Sequence, residues 1–329
     1  MASVVVIATL LVAGVALTVV RTPPRLPLPN PNGYDDFLKA TRFLTGDLGN
    51  ASTLDHDGLQ ALVSTNAEPL RLTRLGLSRG CSVPTDSAIT NIPGMLADLS
   101  NLKSLAHLLV EEGRLAEMEG RYADAAQSYI DAIHFGNEMS RGGPIIVRLV
   151  GIACEAIGHT PLSKLVPKLK PEEARRVVVE LEKIDNAGVT WAEVRRNEKR
   201  FAQHQLRQGF NPLTWVMTRP QAWTARRRGE MRNNRIAAHL RLLSVEVALR
   251  NYRAEVGRAP TSLGQLVPQC LHSVPRDPFS GRSLVYRVQG TNWLLYSVGE
   301  DRVDDGGKRV GRSSSPAVTR GDIFYDSPH

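Results

Sequence analysis

The sequence predicts a mainly α-helical fold with an N-terminal transmembrane helix, an α-helical domain, and a small C-terminal α+β domain in which a long helix packs on an antiparallel sheet. Three observations lead to this prediction. The chain opens with an uncharged apolar run, its middle repeats the 3.6-residue period of amphipathic helices, and two β-rich segments follow a long amphipathic helix near its end. We expect a transmembrane anchor over 1–20, a Pro-rich spacer over 21–32, an α-helical domain over 33–209, a basic connector over 210–230 and the C-terminal domain over 231–329.

Length and composition exclude several classes of protein. The 329 residues are 42% hydrophobic, which suffices for about two cored domains and excludes a wholly disordered chain. The 20 Pro and 27 Gly follow no collagen-like repeat. Three cysteines cannot form a disulfide scaffold. Cys154 lies in an apolar run and is expected in the core, while pairing of Cys81 with Cys270 stays open.

The first 20 residues predict a membrane anchor. Residues 2–20 carry no charge, and as a helix they would span about 28 Å, close to the hydrocarbon thickness of a bilayer. A cleaved signal peptide is an alternative, since Gly14-Val15-Ala16 offers a small-x-small cleavage pattern, but no basic residue precedes the run. A buried helix of a soluble protein is a third interpretation. We predict an uncleaved single span in the inner (cytoplasmic) membrane.

The segment after the anchor predicts a stiff spacer. Residues 21–32 contain five prolines, which favour an extended polyproline conformation. Arg21 and Arg25 follow the span, and the positive-inside rule alone would place the downstream chain in the cytoplasm. Large domains, however, translocate largely regardless of charge. We therefore predict an extracytoplasmic, periplasmic body.

Capping signals indicate where helices of the middle region begin. Thr190 and Glu193 form a capping-box pattern for a helix of about 18 residues that Gly209 would end. Pro171, followed by two glutamates, suits the first turn of another helix, and Pro144 opens a third.

A helical hairpin is predicted over residues 109–132. Gly113 and Ala116 lie on its first helix, and Gly120-Arg121-Tyr122-Ala123-Asp124-Ala125, Tyr129 and Ala132 follow on its second. This pattern resembles one tetratricopeptide repeat. Repeat arrays need about three units, so a single copy indicates a hairpin within a larger α domain, and a partner for the hairpin stays open.

The positive charge of the chain is concentrated in one stretch. Residues 195–235 contain eleven Lys and Arg against two Glu, a net charge of +9, which exceeds the +8 of the whole chain. Indole and guanidinium groups both favour the membrane interface, which predicts contact with anionic lipid headgroups. A solvated or internally paired face is the alternative, and nucleic acid is not expected because no nucleic-acid motif accompanies the charge. The predicted membrane-surface residues are Trp215, Trp223, Arg226, Arg227 and Arg228.

The C-terminal domain begins with a long amphipathic helix over residues 231–256, on whose outer side Glu246 and Arg250 can pair. β-branched and aromatic residues then predict two strands joined by a hairpin loop. The later elements are a short helix at 262–267, a turn at 277–281, strands at 284–288 and 293–298, and the loop at 289–292.

This domain contains six short sequence motifs that, taken in order, can be compared with a known family. They are Ala248-Leu249-Arg250-Asn251-Tyr252, Gly257-Arg258-Ala259-Pro260-Thr261, Leu266-Val267-Pro268, Pro275-Arg276-Asp277-Pro278-Phe279, Tyr296-Ser297-Val298-Gly299-Glu300-Asp301 and Gly321-Asp322-Ile323. The order resembles the globular domain of the major pseudopilin of type II secretion systems over about residues 231–325. The resemblance implies a long helix on a small antiparallel sheet and a calcium-binding last loop. By position it implies Asp301 and Asp322 as ligands, with Ser297 as a further oxygen donor.

The residues of this loop agree in part with calcium. Asp301, Asp304 and Asp305 stand in an acidic turn before two glycines, and calcium prefers such hard oxygen donors. An EF-hand is excluded, because Val303 stands where that loop carries Asp or Asn and no Glu follows at the required spacing. An acidic turn without metal is the alternative. The candidate calcium ligands are Asp301, Asp305, Asp322 and Ser297.

The N-terminal span departs from the pseudopilin pattern. Pseudopilins begin with a Gly-Phe-Thr-Leu-Ile-Glu-like motif that is absent here, and about 200 residues separate the span from the pilin-like helix. We therefore predict a membrane-anchored scaffolding protein of the cell envelope without evident catalysis. An accessory component of a type II secretion or pilus-like machine is the alternative, with secretion or pilus-like envelope proteins as its partners.

Enzyme motifs are weak. Gly76-Leu77-Ser78-Arg79-Gly80 matches the G-x-S-x-G nucleophile pattern of hydrolases, which needs a strand before the serine. Residues 70–75 are instead expected to be helical, so a membrane-tethered hydrolase is the least favoured function. His56 stands between two aspartates at an expected helix start, and no histidine or cysteine spacing indicates a zinc site.

Overall fold

A computed structural model describes residues 27–46, 48, 51–84, 92–208, 212–309 and 320–326, with side chains for all of these except 52, 92 and 204–225. The predicted anchor over 1–20 and the first part of the spacer lie outside the described residues.

The described chain is mainly helical with one small antiparallel sheet, which confirms the predicted fold class at that level. Short 3-10 turns occur at Ala51–Thr53, Val166–Lys168 and Leu263–Leu266. The helices are α1 (Gly33–Thr41), α2 (His56–Thr65), α3 (Ala67–Leu77), α4 (Ile92–Met118), α5 (Tyr122–Glu138), α6 (Ile145–Leu165), α7 (Pro171–Asn186), α8 (Trp191–Gln208) and α9 (Pro212–Val256), and the strands are β1 (Val285–Gln289) and β2 (Asn292–Tyr296).

Helix starts lie where local capping residues predict them. The Asp55 carboxylate accepts a hydrogen bond from the Gly58 amide and caps α2, which explains the aspartate before His56. The Thr190 hydroxyl accepts from the Glu193 amide, and α8 has the predicted 18 residues. Such contacts join residues three apart, so the sequence contains the whole signal.

The predicted hairpin is formed by α4 and α5. A Cβ atom on Gly113 would lie 2.4 Å from the Tyr129 ring, so the glycine allows the ring to fill the groove between the helices. The Tyr129 hydroxyl donates to the Glu117 carboxylate at 3.0 Å. Helices α1 and α3 pack against this pair, and Phe37 of α1 meets Phe135 of α5 edge to face with ring centroids 4.9 Å apart.

In the C-terminal region the second half of α9 packs on the β-hairpin. Strands β1 and β2 pair antiparallel up to Gln289 and Asn292, so the connecting loop is the two residues Gly290 and Thr291. The Trp293 indole donates to the Glu246 carboxylate at 2.8 Å. Glu246 and Arg250 pair as predicted, but Glu246 is buried under Trp293 and does not lie on the outer side of the helix.

Helix α9 belongs to both parts of the molecule. It begins at Pro212, so the predicted connector over 210–230 is helical from that residue onward. Its second half shares one continuous hydrophobic core with α5, α6 and α7 and with the hairpin. The C-terminal domain is therefore attached to the helical body by a packed helix rather than by a flexible linker.

One helical segment in the described part of the chain, Ile145–Lys168, is long and apolar enough to cross a membrane; it consists of α6 and the 3-10 turn that follows it. Of its most apolar stretch, 44% is buried inside the protein.

Candidate functional site

A cleft of about 810 Å³ lies where α8, α9 and the loop after β2 meet. It brings together three residues that the sequence predicts separately: Arg226 and Arg227 for the membrane surface and Asp301 for calcium. The other lining residues are Trp191, Arg195, Glu230, Met231, Glu300, Arg302 and Arg320.

The floor of the cleft depends on a close approach between α8 and α9. Trp191, in the first turn of α8, is only 8% exposed. A Cβ atom on Gly229 would lie 2.5 Å from the Trp191 ring, so the glycine lets the indole lie directly against α9. The neighbouring arginines of α9 are thereby held at the edge of the cleft.

The loop after β2 is tightly held. The amide and carbonyl of Ser297 bond to Ile323, each at 2.9 Å, so the loop and the chain end form one unit. The backbone of Arg302 is in the left-handed conformation with φ of 60°, which residues other than glycine rarely adopt. This conformation costs about 1–3 kcal/mol, and such strain concentrates at functional sites. The Arg302 amide donates to the Gly299 carbonyl at 3.2 Å.

Positive charge predominates in the cleft. Five arginines face three carboxylates, and one of these carboxylates, Glu300, pairs with Arg235 at 2.7 Å. An anionic group entering the cleft therefore meets more cations than carboxylates.

Asp322 is the most unusual acidic residue of the predicted calcium loop. It is fully buried; one carboxylate oxygen accepts from the Gly307 amide at 2.7 Å, and the other, Oδ1, has no donor in hydrogen-bonding geometry among the described residues. Burial raises the pKa of Asp322; the amides of Gly307 and Asp305 lower it, and the charges of Asp304 and Asp305 raise it further.

The other predicted ligands are placed differently. The Ser297 hydroxyl donates to Asp277 at 3.1 Å and accepts from the Gly299 amide at 3.3 Å, so it is already engaged in the core. Asp301 accepts from the Val303 amide at 3.2 Å and lines the arginine cleft. Asp305 is exposed beside Asp322.

Calcium fits Asp322 better than it fits the predicted set as a whole. A buried carboxylate oxygen without a donor is a natural ligand for a hard cation. Within the described ranges, however, no three acidic, histidine or cysteine side chains converge to hold a metal. Calcium also accepts backbone carbonyls and water, which could supply further ligands beside Asp322.

Asp277 is a key residue of this region whose role was not predicted. It is fully buried and accepts from the amides of Phe279 and Val298 at 2.8 and 3.0 Å, in addition to the Ser297 hydroxyl. It thus ties the turn before β1 to the end of β2. The Asp-Pro-Phe-Ser-Gly turn was the available signal, but only the fold shows which distant amides it receives.

The remaining predicted residues lie along α9. Arg228 is exposed, as are Arg226 and Arg227. The side chains of Trp215 and Trp223 lie outside the described residues.

Ser78 of the G-x-S-x-G pattern ends helix α3, and its hydroxyl donates to the Leu75 carbonyl at 2.8 Å. The residues before it are helical, as predicted, so the strand that a nucleophile elbow requires is replaced by a helix.

Comparison of the chain with known protein families, with curated proteins and with solved structures found no match.

Proposed function

We propose that the protein is a membrane-anchored, extracytoplasmic scaffold of the cell envelope without evident catalysis. The continuity of α9 is the main support. One helix of 45 residues carries exposed arginines and then packs both on the helical body and on the β-hairpin. A rigid arrangement of this kind suits a protein that holds partners at a fixed distance from a surface.

Anionic lipid is the partner that the arginine cleft favours in this proposal. Arg226, Arg227 and Arg228 are exposed on consecutive positions of α9, and two of them line the cleft. A basic residue near an anionic membrane surface contributes about 1 kcal/mol, or about fivefold in affinity.

The test compares lipids that co-purify with the full-length chain in a mild detergent. We expect anionic phospholipid to be enriched over its cellular share, and the triple variant Arg226→Gln/Arg227→Gln/Arg228→Gln to lose most of this enrichment. The matched control neutralises three exposed arginines elsewhere, Arg176, Arg258 and Arg282. Equal enrichment in both triple variants would remove the lipid role of this segment.

An accessory role in a type II secretion or pilus-like machine is the second candidate. The packing of a long helix on a two-stranded sheet, with a buried aspartate in the last loop, is the observation that favours it. Crosslinking in native cells should then recover secretion or pilus subunits with the full chain. Truncation at residue 231 would test whether the C-terminal region recruits these subunits, but it cuts α9. We therefore prefer the variant Val288→Asp, which changes an exposed residue of β1 and should lower the recovery of these subunits. If only lipid or further copies of the protein itself were recovered, the result would favour a scaffold that acts independently of a secretion machine.

We expect Asp322→Asn to abolish any calcium-dependent stabilisation. Because the folded state raises the pKa of Asp322, its contribution to stability is present at low pH and is lost as pH rises from about 3.8 through the raised value. Bound calcium would reverse this loss. The measurement is the Tm of the full chain between pH 4 and pH 7, in chelator and after calcium addition.

The exposed carboxylate variant Asp35→Asn is the matched control and should respond to calcium as the unmodified chain does. A Tm that calcium does not change in any variant would leave the acidic loop without a metal.

The hydrolase interpretation has a direct test as well. If it were correct, Ser78→Ala would abolish activity in a broad ester screen. We expect no Ser78-dependent activity, because this hydroxyl is bound to its own helix end.

A further inference from the structure

A second concave surface, of about 380 Å³, lies between α4, α6 and α9. It lies beside the arginine cleft: Arg235 lines this groove, and its ion-pair partner Glu300 lines the cleft. The proposed scaffold function makes no use of the groove.

The wall of the groove is apolar. Leu149 and Ile152 on α6 are partly exposed into it, and Ile236 on α9 faces them from the other side. Ala153 and Ala156 of α6 also line the groove and leave space because their side chains are small. This surface explains why α6 is more apolar than its buried face requires.

The charged and imidazole groups at the groove are all basic. Lys103 and His107 belong to α4, Arg232 and Arg235 belong to α9, and no carboxylate of the described residues lines the groove. Arg235 forms an ion pair with Glu300, whereas Lys103 and Arg232 form no ion pair with any described residue. Burial and the charge of Lys103 lower the pKa of His107, so at pH 7 this side chain is neutral and acts as a hydrogen-bonding group.

We propose that this groove binds a single-chain anionic amphiphile of the fatty-acid type. The carboxylate lies between Lys103 and Arg232, and the acyl chain follows the apolar face of α6 past Leu149 and Ile152. A mostly apolar lining with a few polar groups is the usual composition of a small-molecule site, and the volume of this groove, about 380 Å³, is at the small end of the usual range of about 300–1,000 Å³. The small volume favours one acyl chain over two. Lys103 and Arg232, which form no ion pair with any described residue, favour an acid over a neutral lipid.

The test is photolabelling of the full-length protein in a maltoside detergent, whose headgroup is neutral. A diazirine-bearing fatty acid is crosslinked, and the labelled peptides are identified by mass spectrometry. We expect the label on the α6 segment 149–157. The double variant Lys103→Gln/Arg232→Gln should lower this labelling at least tenfold, because charge-assisted contacts are lost. Both residues are exposed, so their replacement leaves the core intact. The control Arg176→Gln neutralises an exposed arginine of α7 and should label as the unmodified chain does.

Competition gives a second readout that does not depend on the variants. Unlabelled fatty acids of increasing length should compete about three- to fourfold better for each added methylene until the groove is full. The alcohol of equal length should compete at least tenfold less well than the acid. Label spread over other helices, equal labelling of the double variant, or equal competition by acid and alcohol would each overturn the proposal. Loss of lipid enrichment in the Arg226, Arg227 and Arg228 variant would not affect this result, so the two proposals can fail separately.

Discussion

Replacing Arg148 with Met is expected to lower the free energy of unfolding by about 3–5 kcal/mol, because it leaves a buried carboxylate without its cation. Arg148 and Glu155 are both at least 96% buried on α6 and form an ion pair. The same guanidinium donates to Asn233 of α9 at 2.8 Å and to Ser140, which follows α5, at 3.1 Å. One side chain therefore connects the helical hairpin to the long helix that carries the C-terminal domain.

The double variant Arg148→Met/Glu155→Leu separates the ion pair from simple packing. Removing both charges is expected to recover at least half of the loss, since a buried pair replaced by apolar residues is often neutral. Urea unfolding of the full chain measures each variant. If the loss of unfolding free energy in the double variant equalled the sum of the losses in Arg148→Met and Glu155→Leu, the two residues would not be coupled.

The Arg148→Met variant should also depend on pH in a defined direction. Burial raises the pKa of Glu155, and Arg148 opposes this rise in the unmodified chain. Without Arg148 the folded state holds the proton more tightly than the unfolded state, so stability is lost as pH rises above about 4.5. The deficit relative to the unmodified chain should therefore be larger at pH 7 than at pH 5. Arg148→Met/Glu155→Gln should show no such difference, because it has no carboxyl group to titrate.

Element types and several helix starts were predictable because their causes are local. The caps at Asp55 and Thr190 join residues three apart, and the hairpin pattern around Gly113 and Tyr129 spans a single helical pair. Contacts across larger separations were not predictable. Arg148 and Asn233 are 85 residues apart, and Arg235 and Glu300 are 65 apart, and nothing in either local sequence indicates its partner.

The start of α9 shows a different limit of the sequence. The prediction began this helix at residue 231, where an apolar stripe appears, but the backbone is helical from Pro212. Helical hydrogen bonding needs no apolar stripe, so a polar, arginine-rich stretch can extend a helix that is nucleated by packing elsewhere. The candidate site depends on this extension, because it places Arg226 and Arg227 beside the loop after β2.

Gly151→Ala is expected to destabilise the protein by about 1–3 kcal/mol, although alanine favours helices by about 1 kcal/mol over glycine. Helices α5 and α6 meet backbone to backbone at this point. A Cβ atom on Gly151 would lie 2.4 Å from the Gly136 carbonyl oxygen, and one on Gly136 would lie 2.5 Å from the Gly151 carbonyl oxygen. The neighbouring backbone cannot rotate away as a side chain can, so the helices must separate.

Two comparisons decide whether this close approach is the cause. Gly136→Ala should cost a similar amount, and the double variant should cost less than the sum, because one separation of the helices accommodates both methyl groups. Gly264→Ala, where a Cβ atom would lie 3.7 Å from the Ser262 hydroxyl and no closer to any other described residue beyond its chain neighbours, should change the unfolding free energy by less than about 0.5 kcal/mol. If the losses of unfolding free energy from Gly136→Ala and Gly151→Ala were additive, each glycine would act through its own helix and not through their shared contact. Since α6 also carries Leu149 and Ile152, a shift of this helix should weaken fatty-acid labelling of the groove in the same variants, which links the packing of the core to the proposed binding site.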